Sequence, residues 1–120
     1  MTKTHAETLK RKRKEEDPWV KKTAYFKQKT YTVENKTLWS ADVTRRLYEA
    51  FSKRCALTND EIDESQMTFT KKDPAGDFIP LNCVLVRKWN IKQTRSASFK
   101  WTDDQLERIR VAHEAFTIAT

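Results

Sequence analysis

With 120 residues, 38% of them hydrophobic and 34% charged, the chain can build one modest core and has little material for a second domain. Its net charge of +7 suits an acidic partner, and the longest uncharged run, the nine residues 78–86 with Pro80 and Asn82 inside it, is far too short to span a membrane. The basic residues at the start are followed by no apolar run, which argues against a secretory leader and predicts an intracellular protein, nuclear if eukaryotic and otherwise cytoplasmic.

The charge is unevenly spread. Residues 1–36 hold 11 Lys/Arg against 5 Asp/Glu, residues 37–72 hold 6 against 6, and residues 73–120 hold 7 against 6. The excess centres on Lys10, Arg11, Lys12, Arg13 and Lys14, followed at once by Glu15, Glu16 and Asp17. Adjacent cations repel one another in a folded core, so residues 1–18 read as a disordered basic arm and residues 19–120 as a single small globular domain. Each cation that neutralises a phosphate releases condensed counterions, which makes such an arm a salt-sensitive, sequence-blind source of affinity for a polyanion. In a eukaryotic setting the same run has the composition of a nuclear-import signal, and a solubilising tail is the plain alternative. Lys21 and Lys22 carry positive charge on past the arm.

Residues 23–33 are rich in Thr, Tyr and Val, with Tyr25, Tyr31 and Val33 on one parity, which predicts a strand. Ser40 then precedes a run in which Val43, Leu47, Ala50, Phe51 and Cys55 recur at three- and four-residue steps, a helix capped by Ser40 with Asp42 at its positive end and Lys53 and Arg54 at the other. Thr58 with Glu61 predicts a capping box for a short second helix through Ile62. Residues 67–71 alternate again, and residues 73–77 hold the only glycine beside Pro74, so a hairpin with its turn there is expected. The segment from Phe78 to Trp89 reads either as the return strand or as a helix opened by Pro80, since Leu81, Leu85 and Trp89 step by four. Thr102 and Gln105 open a terminal helix through Leu106, Ile109, Ala112, His113 and Phe116. The whole is an α+β fold: an N-terminal strand, a central helix, a β-hairpin and a C-terminal helix behind the basic arm.

The stretch 84–101 contains Arg87, Lys88, Lys92, Arg95 and Lys100 and no acidic residue, interleaved with Trp89, Phe99 and Trp101. Such a mixture can contact phosphates and stack on bases, and it equally suits a half-buried strand whose aromatics face the core. Trp39-Ser40-Ala41-Asp42 with Arg46, Leu47 and Ala50, and Trp101-Thr102-Asp103-Asp104 with Arg108, Ile109 and Ala112, resemble the first-helix signature of Myb/SANT-type domains. That resemblance implies a three-helix unit with its third helix on DNA. It covers about a dozen residues in each copy and lacks the regular tryptophan spacing, so it is compatible with DNA binding without assigning the family.

Catalytic chemistry finds little support. Asp17 with Glu34-Asn35-Lys36 has the local look of a metal-dependent nuclease, but acid-x-lysine triplets are common in a chain one-third charged. His5 and His113 lie in unrelated segments, His113 reading as a packing residue, and one glycine cannot make a Gly-rich phosphate loop. Cys55 and Cys83, each in an apolar stretch and far apart in sequence, read as buried hydrophobes in a reducing compartment. The expectation is a non-enzymatic nucleic-acid-binding accessory or regulatory protein with no cofactor and no metal, binding DNA ahead of RNA and no membrane. Its sites are the arm, Lys21, Lys22 and the basic and aromatic residues of 87–100. The alternative is a protein-binding adaptor, an inhibitor or a small subunit of a larger complex. There the near-neutral body, acidic at Asp60, Glu61, Asp63 and Glu64, docks on a basic partner.

Overall fold

The structure, a computed structural model, describes residues 17–118, so the basic run at residues 10–14 lies outside the described residues. Within them, five α-helices and one antiparallel hairpin follow in the order α1 (Pro18–Lys29), α2 (Val33–Lys36), α3 (Ala41–Ala50), β1 (Met67–Lys71), β2 (Cys83–Arg87), α4 (Ile91–Thr94) and α5 (Asp103–Ile118). The α+β class holds, with the central helix, the hairpin and the C-terminal helix in place.

The N-terminal strand does not form, and a helix takes its place. Asp17 caps α1 by accepting the Trp19 backbone N–H at 2.9 Å, and Pro18 occupies the first helical position, where its missing N–H costs nothing. Trp19, Thr23, Phe26 and Thr30 then face inward at helical spacing. The threonines that suggested a strand return their hydroxyls to carbonyls one turn back, Thr23 to Trp19 at 2.6 Å and Thr30 to Phe26 at 3.0 Å. The residues that set the apparent two-residue alternation, Tyr25, Tyr31 and Val33, are all exposed.

Helix α3 is capped as expected, with the Ser40 hydroxyl accepting the Val43 N–H at 3.1 Å. It packs between α1 and α5. The expected stripe reaches Cys55 in space but not in one helix. After Phe51 the chain closes with Ser52 N–H to the Glu49 carbonyl and Lys53 N–H to the Tyr48 carbonyl, and Ser52 and Lys53 sit at φ 57° and 58°. The second helix at residues 58–62 is likewise absent. Asn59 adopts φ 65°, Thr58 turns its hydroxyl to the Asp60 N–H, and Ile62 N–H donates to the Lys53 carbonyl at 2.7 Å, folding the segment back across Arg54. Burial of Ile62 and Cys55 outweighs the local capping pattern. Because a loop and the hairpin follow α3, the Trp39 segment is not the start of a three-helix unit.

In the hairpin, Met67 pairs with Arg87 and Lys71 with Cys83, and both strands are buried for four of their five residues. Residues 78–89 give the return strand, and the helix from Pro80 to Trp89 does not form: Leu85 is buried while Leu81 and Trp89 are exposed, so the four-residue step is not a packed stripe. Pro80 opens a single 3-10 turn, Pro80–Asn82, before β2 begins. The connecting loop is held by Asn82, whose side-chain amide donates to the Asp73 and Asp77 carbonyls at 3.0 Å each while its oxygen accepts the Asp73 N–H. Gly76 is needed for that approach, since a Cβ there would meet Asn82 Nδ2 at 2.7 Å. Asp77 ties the same loop to the end of α1, accepting the Tyr31 N–H at 2.9 Å and the Asn35 amide at 2.8 Å.

The core centres on four rings, Phe26, Trp39, Phe69 and Phe78, with centroids 5.0 to 6.0 Å apart. The Trp39 indole N–H donates to the Phe78 carbonyl at 3.0 Å, and the Thr30 hydroxyl reaches the same oxygen at 2.8 Å. Each ring buried from water is worth about 1.5–3 kcal/mol, and aromatic pairing adds about 0.5–1.5 kcal/mol per pair. Helix α5 starts with the expected reciprocal box: Gln105 N–H donates to the Thr102 hydroxyl and Thr102 N–H to the Gln105 side chain. Its inner face, Ile109, Ala112 and Phe116, completes the core, and His113 Nε2 lies 2.8 Å from the Cys83 carbonyl on β2.

Candidate functional site

Two open clefts of about 630 and 640 Å³ follow one another along the same three elements. Helix α1 forms one wall, the segment 88–101 the opposite wall, and β1 the floor, with Arg95 lining both clefts. Helical geometry spaces the charges on the α1 wall. Lys22, Tyr25, Phe26 and Lys29 occupy positions three, four and seven residues apart, so the ring of Phe26 faces the core while lysines flank the opening. Lys21, Lys22, Lys29, Lys71, Lys72, Lys88 and Arg95 line this trough, and Glu64 is the one carboxylate among its lining residues.

At the end nearer Pro18, Lys22 and Lys88 face each other across β1. The Lys22 side chain retains only 15% of its exposure, and its ammonium lies 3.8 Å from Glu64, longer than a close ion pair. Burial lowers its pKa from the ordinary lysine value and the Lys88 charge lowers it further, with Glu64 and Asp63 opposing. An approaching anion would offset these two effects by its opposite charge.

The other end is aromatic. Phe99 meets Trp101 edge-on with centroids 4.7 Å apart, and the Trp101 indole N–H lies 3.3 Å from the Lys72 carbonyl. Tyr31 lines the same cleft, 76% exposed, with the Lys71 ammonium 5.4 Å from its ring. Lys71 is fixed by the Pro74 and Gly76 carbonyls at 2.9 and 3.0 Å, and Lys29 lies 4.8 Å over Tyr25. Thr70 and Thr94 join floor to wall through a 2.9 Å hydroxyl contact.

Of the residues singled out in the sequence, Lys21, Lys22, Lys88 and Arg95 come together here. Arg87 and Trp89 do not line the trough. The Arg87 guanidinium donates to the Glu61 carbonyl at 2.8 Å and lies 5.3 Å over the Trp89 ring, pinning the 54–62 loop. Lys92 and Lys100 are exposed and line neither cleft. Lys29, Tyr31, Lys71 and Lys72 were not anticipated. Lys29 becomes legible once α1 is helical, seven residues beyond Lys22, whereas Lys71 and Lys72 arrive only through the hairpin. Among the described residues no group of three or more His, Cys, Asp or Glu could hold a metal ion, and Asp17 is engaged as a helix cap. Cys55 and Cys83 are free and buried. No protein-family model matches the chain, and neither a curated protein nor a solved structure matches it.

Proposed function

We propose that the protein is a non-enzymatic nucleic-acid-binding accessory or regulatory protein, holding a polynucleotide in the trough between α1 and residues 88–101. The observation that carries this reading is the lining itself, seven cations with a single carboxylate beside the exposed Tyr31 ring and the half-buried Phe99 and Trp101. Self-repulsion among such cations makes a polyanion the complementary occupant, and counterion release supplies the gain. The run at residues 10–14 adds sequence-blind affinity through the same electrostatics. The test is fluorescence anisotropy of labelled DNA and RNA, single-stranded and duplex, at two salt concentrations. Binding that weakens steeply with salt is expected, and no binding to any of them at low salt would overturn the reading.

A further inference from the structure

We propose that the trough selects single-stranded over duplex polynucleotide, its ends dividing the work: backbone phosphates at Lys22 and Lys88, unpaired bases stacked at Tyr31, Phe99 and Trp101. The proposal rests on the nucleic-acid reading above and goes beyond it in naming the strand state. At the first end Lys22 and Lys88 line one cleft and repel each other, and the Glu64 carboxylate is 3.8 Å from Lys22. A phosphate, with several acceptor oxygens, completes such a pair. Burial first and the Lys88 charge second weigh against a charged Lys22, with Glu64 and Asp63 opposing, and a phosphate would act on the same side as the carboxylates.

At the second end the groups are aromatic rings, of which Tyr31 is open to solvent while Phe99 and Trp101 are half-buried and meet edge-on. Tyr31 is 76% exposed, and all three line the same cleft. Lysines beside these rings favour a base that can present its π-face and its phosphate together. A duplex keeps its base faces stacked on one another and offers only edges, so it can use the charges but not the rings. Lys22 and Lys29 are separated by about 10 Å along α1, the length of about three stacked nucleotides.

The experiment uses the full chain, a labelled oligothymidylate, the same strand paired with oligoadenylate, and oligouridylate to separate a DNA source from an RNA one. Tighter binding of the single strands than of the duplex is expected. Tyr31→Leu, at a position too exposed to affect folding, and Phe99→Leu/Trp101→Leu should each weaken single-strand binding about tenfold and leave duplex binding unchanged. Trp101→Phe, which keeps a ring, should restore it. Equal affinity for single strand and duplex, or aromatic variants that lower both alike, would overturn strand selectivity while leaving nucleic-acid binding intact. Failure to bind any of the three would instead remove the reading on which it rests.

Discussion

Neutralising the trough should change how binding responds to salt more diagnostically than it changes affinity at any one salt concentration. The perturbation is Lys22→Gln/Lys29→Gln/Lys88→Gln/Arg95→Gln, four lining cations drawn from both clefts. Lys71 is left alone because its ammonium holds the Pro74 and Gly76 carbonyls. Each phosphate contact contributes about 0.7 to the slope of log affinity against log salt for a single strand, so four contacts account for about 2.8. Raising the salt fourfold should therefore cost the parent about 50-fold more affinity than the variant. The difference does not depend on what the arm contributes, since both proteins carry it. Folding should be little affected: the Lys22–Glu64 pair is long, and like-charge repulsion with Lys88 is removed. Anisotropy titrations of a labelled oligonucleotide across a salt series measure the slope, and thermal unfolding checks the fold. A folded variant with the parent's slope would refute the assignment of phosphates to the trough.

Removing residues 1–16, which keeps the Asp17 cap and takes away 6 Lys/Arg and 3 Asp/Glu, should lower affinity and flatten the salt slope further; an unchanged slope would confine binding to the trough. Trp39→Ala should destabilise by about 3–5 kcal/mol in chemical denaturation, because a fully buried ring and its hydrogen bond to Phe78 are both lost, and a cost below about 1 kcal/mol would contradict the packing. Ser52→Gly should stabilise by about 0.5–1 kcal/mol, since a non-glycine residue at φ 57° is strained, and a lowered melting temperature would count against that strain. Burial holds the pKa of His113 below the ordinary histidine value, with Lys72 acting in the same direction and the Cys83 carbonyl opposing. The unfolded chain therefore takes up the proton first; stability from this group is full above about pH 6.5 and is lost as pH falls through the lower native value. His113→Gln should flatten the melting curve against pH in that window, and a variant that keeps the parent's dependence would place the titration elsewhere.

What could be read from the chain alone was whatever has a local cause. Ser40 and the Thr102/Gln105 box announce α3 and α5 because a cap needs only its own first turn. The alternation of residues 67–71 marks β1 for the same reason. Helix α1 was misread because β-branched and aromatic residues carry strand propensity; the decisive facts were Asp17-Pro18 at its start and the inward step through Trp19, Thr23, Phe26 and Thr30. The loop at residues 51–62 depends on left-handed residues that are not glycine and on long-range burial of Ile62, neither of which has a local signature. The same error hid Lys29 in the candidate site. As a strand, residues 23–33 do not place Lys22 and Lys29 on one wall; as a helix they do, and only the hairpin then brings Lys71 and Lys72 to face them.

Pro18 is both the first residue of α1 and part of the mouth of the trough. Covalent geometry keeps Lys14 within about 14 Å of it and Lys10 within about 29 Å, whatever path the backbone takes. On the proposed function, a strand seated in the trough would meet the basic run as a tethered second contact at a high effective concentration, and occupancy of one would raise the occupancy of the other without any contact between them. A flexible insertion between residues 14 and 17 would dilute that coupling gradually, by the weak length dependence of a closed loop, while leaving both sets of cations chemically intact.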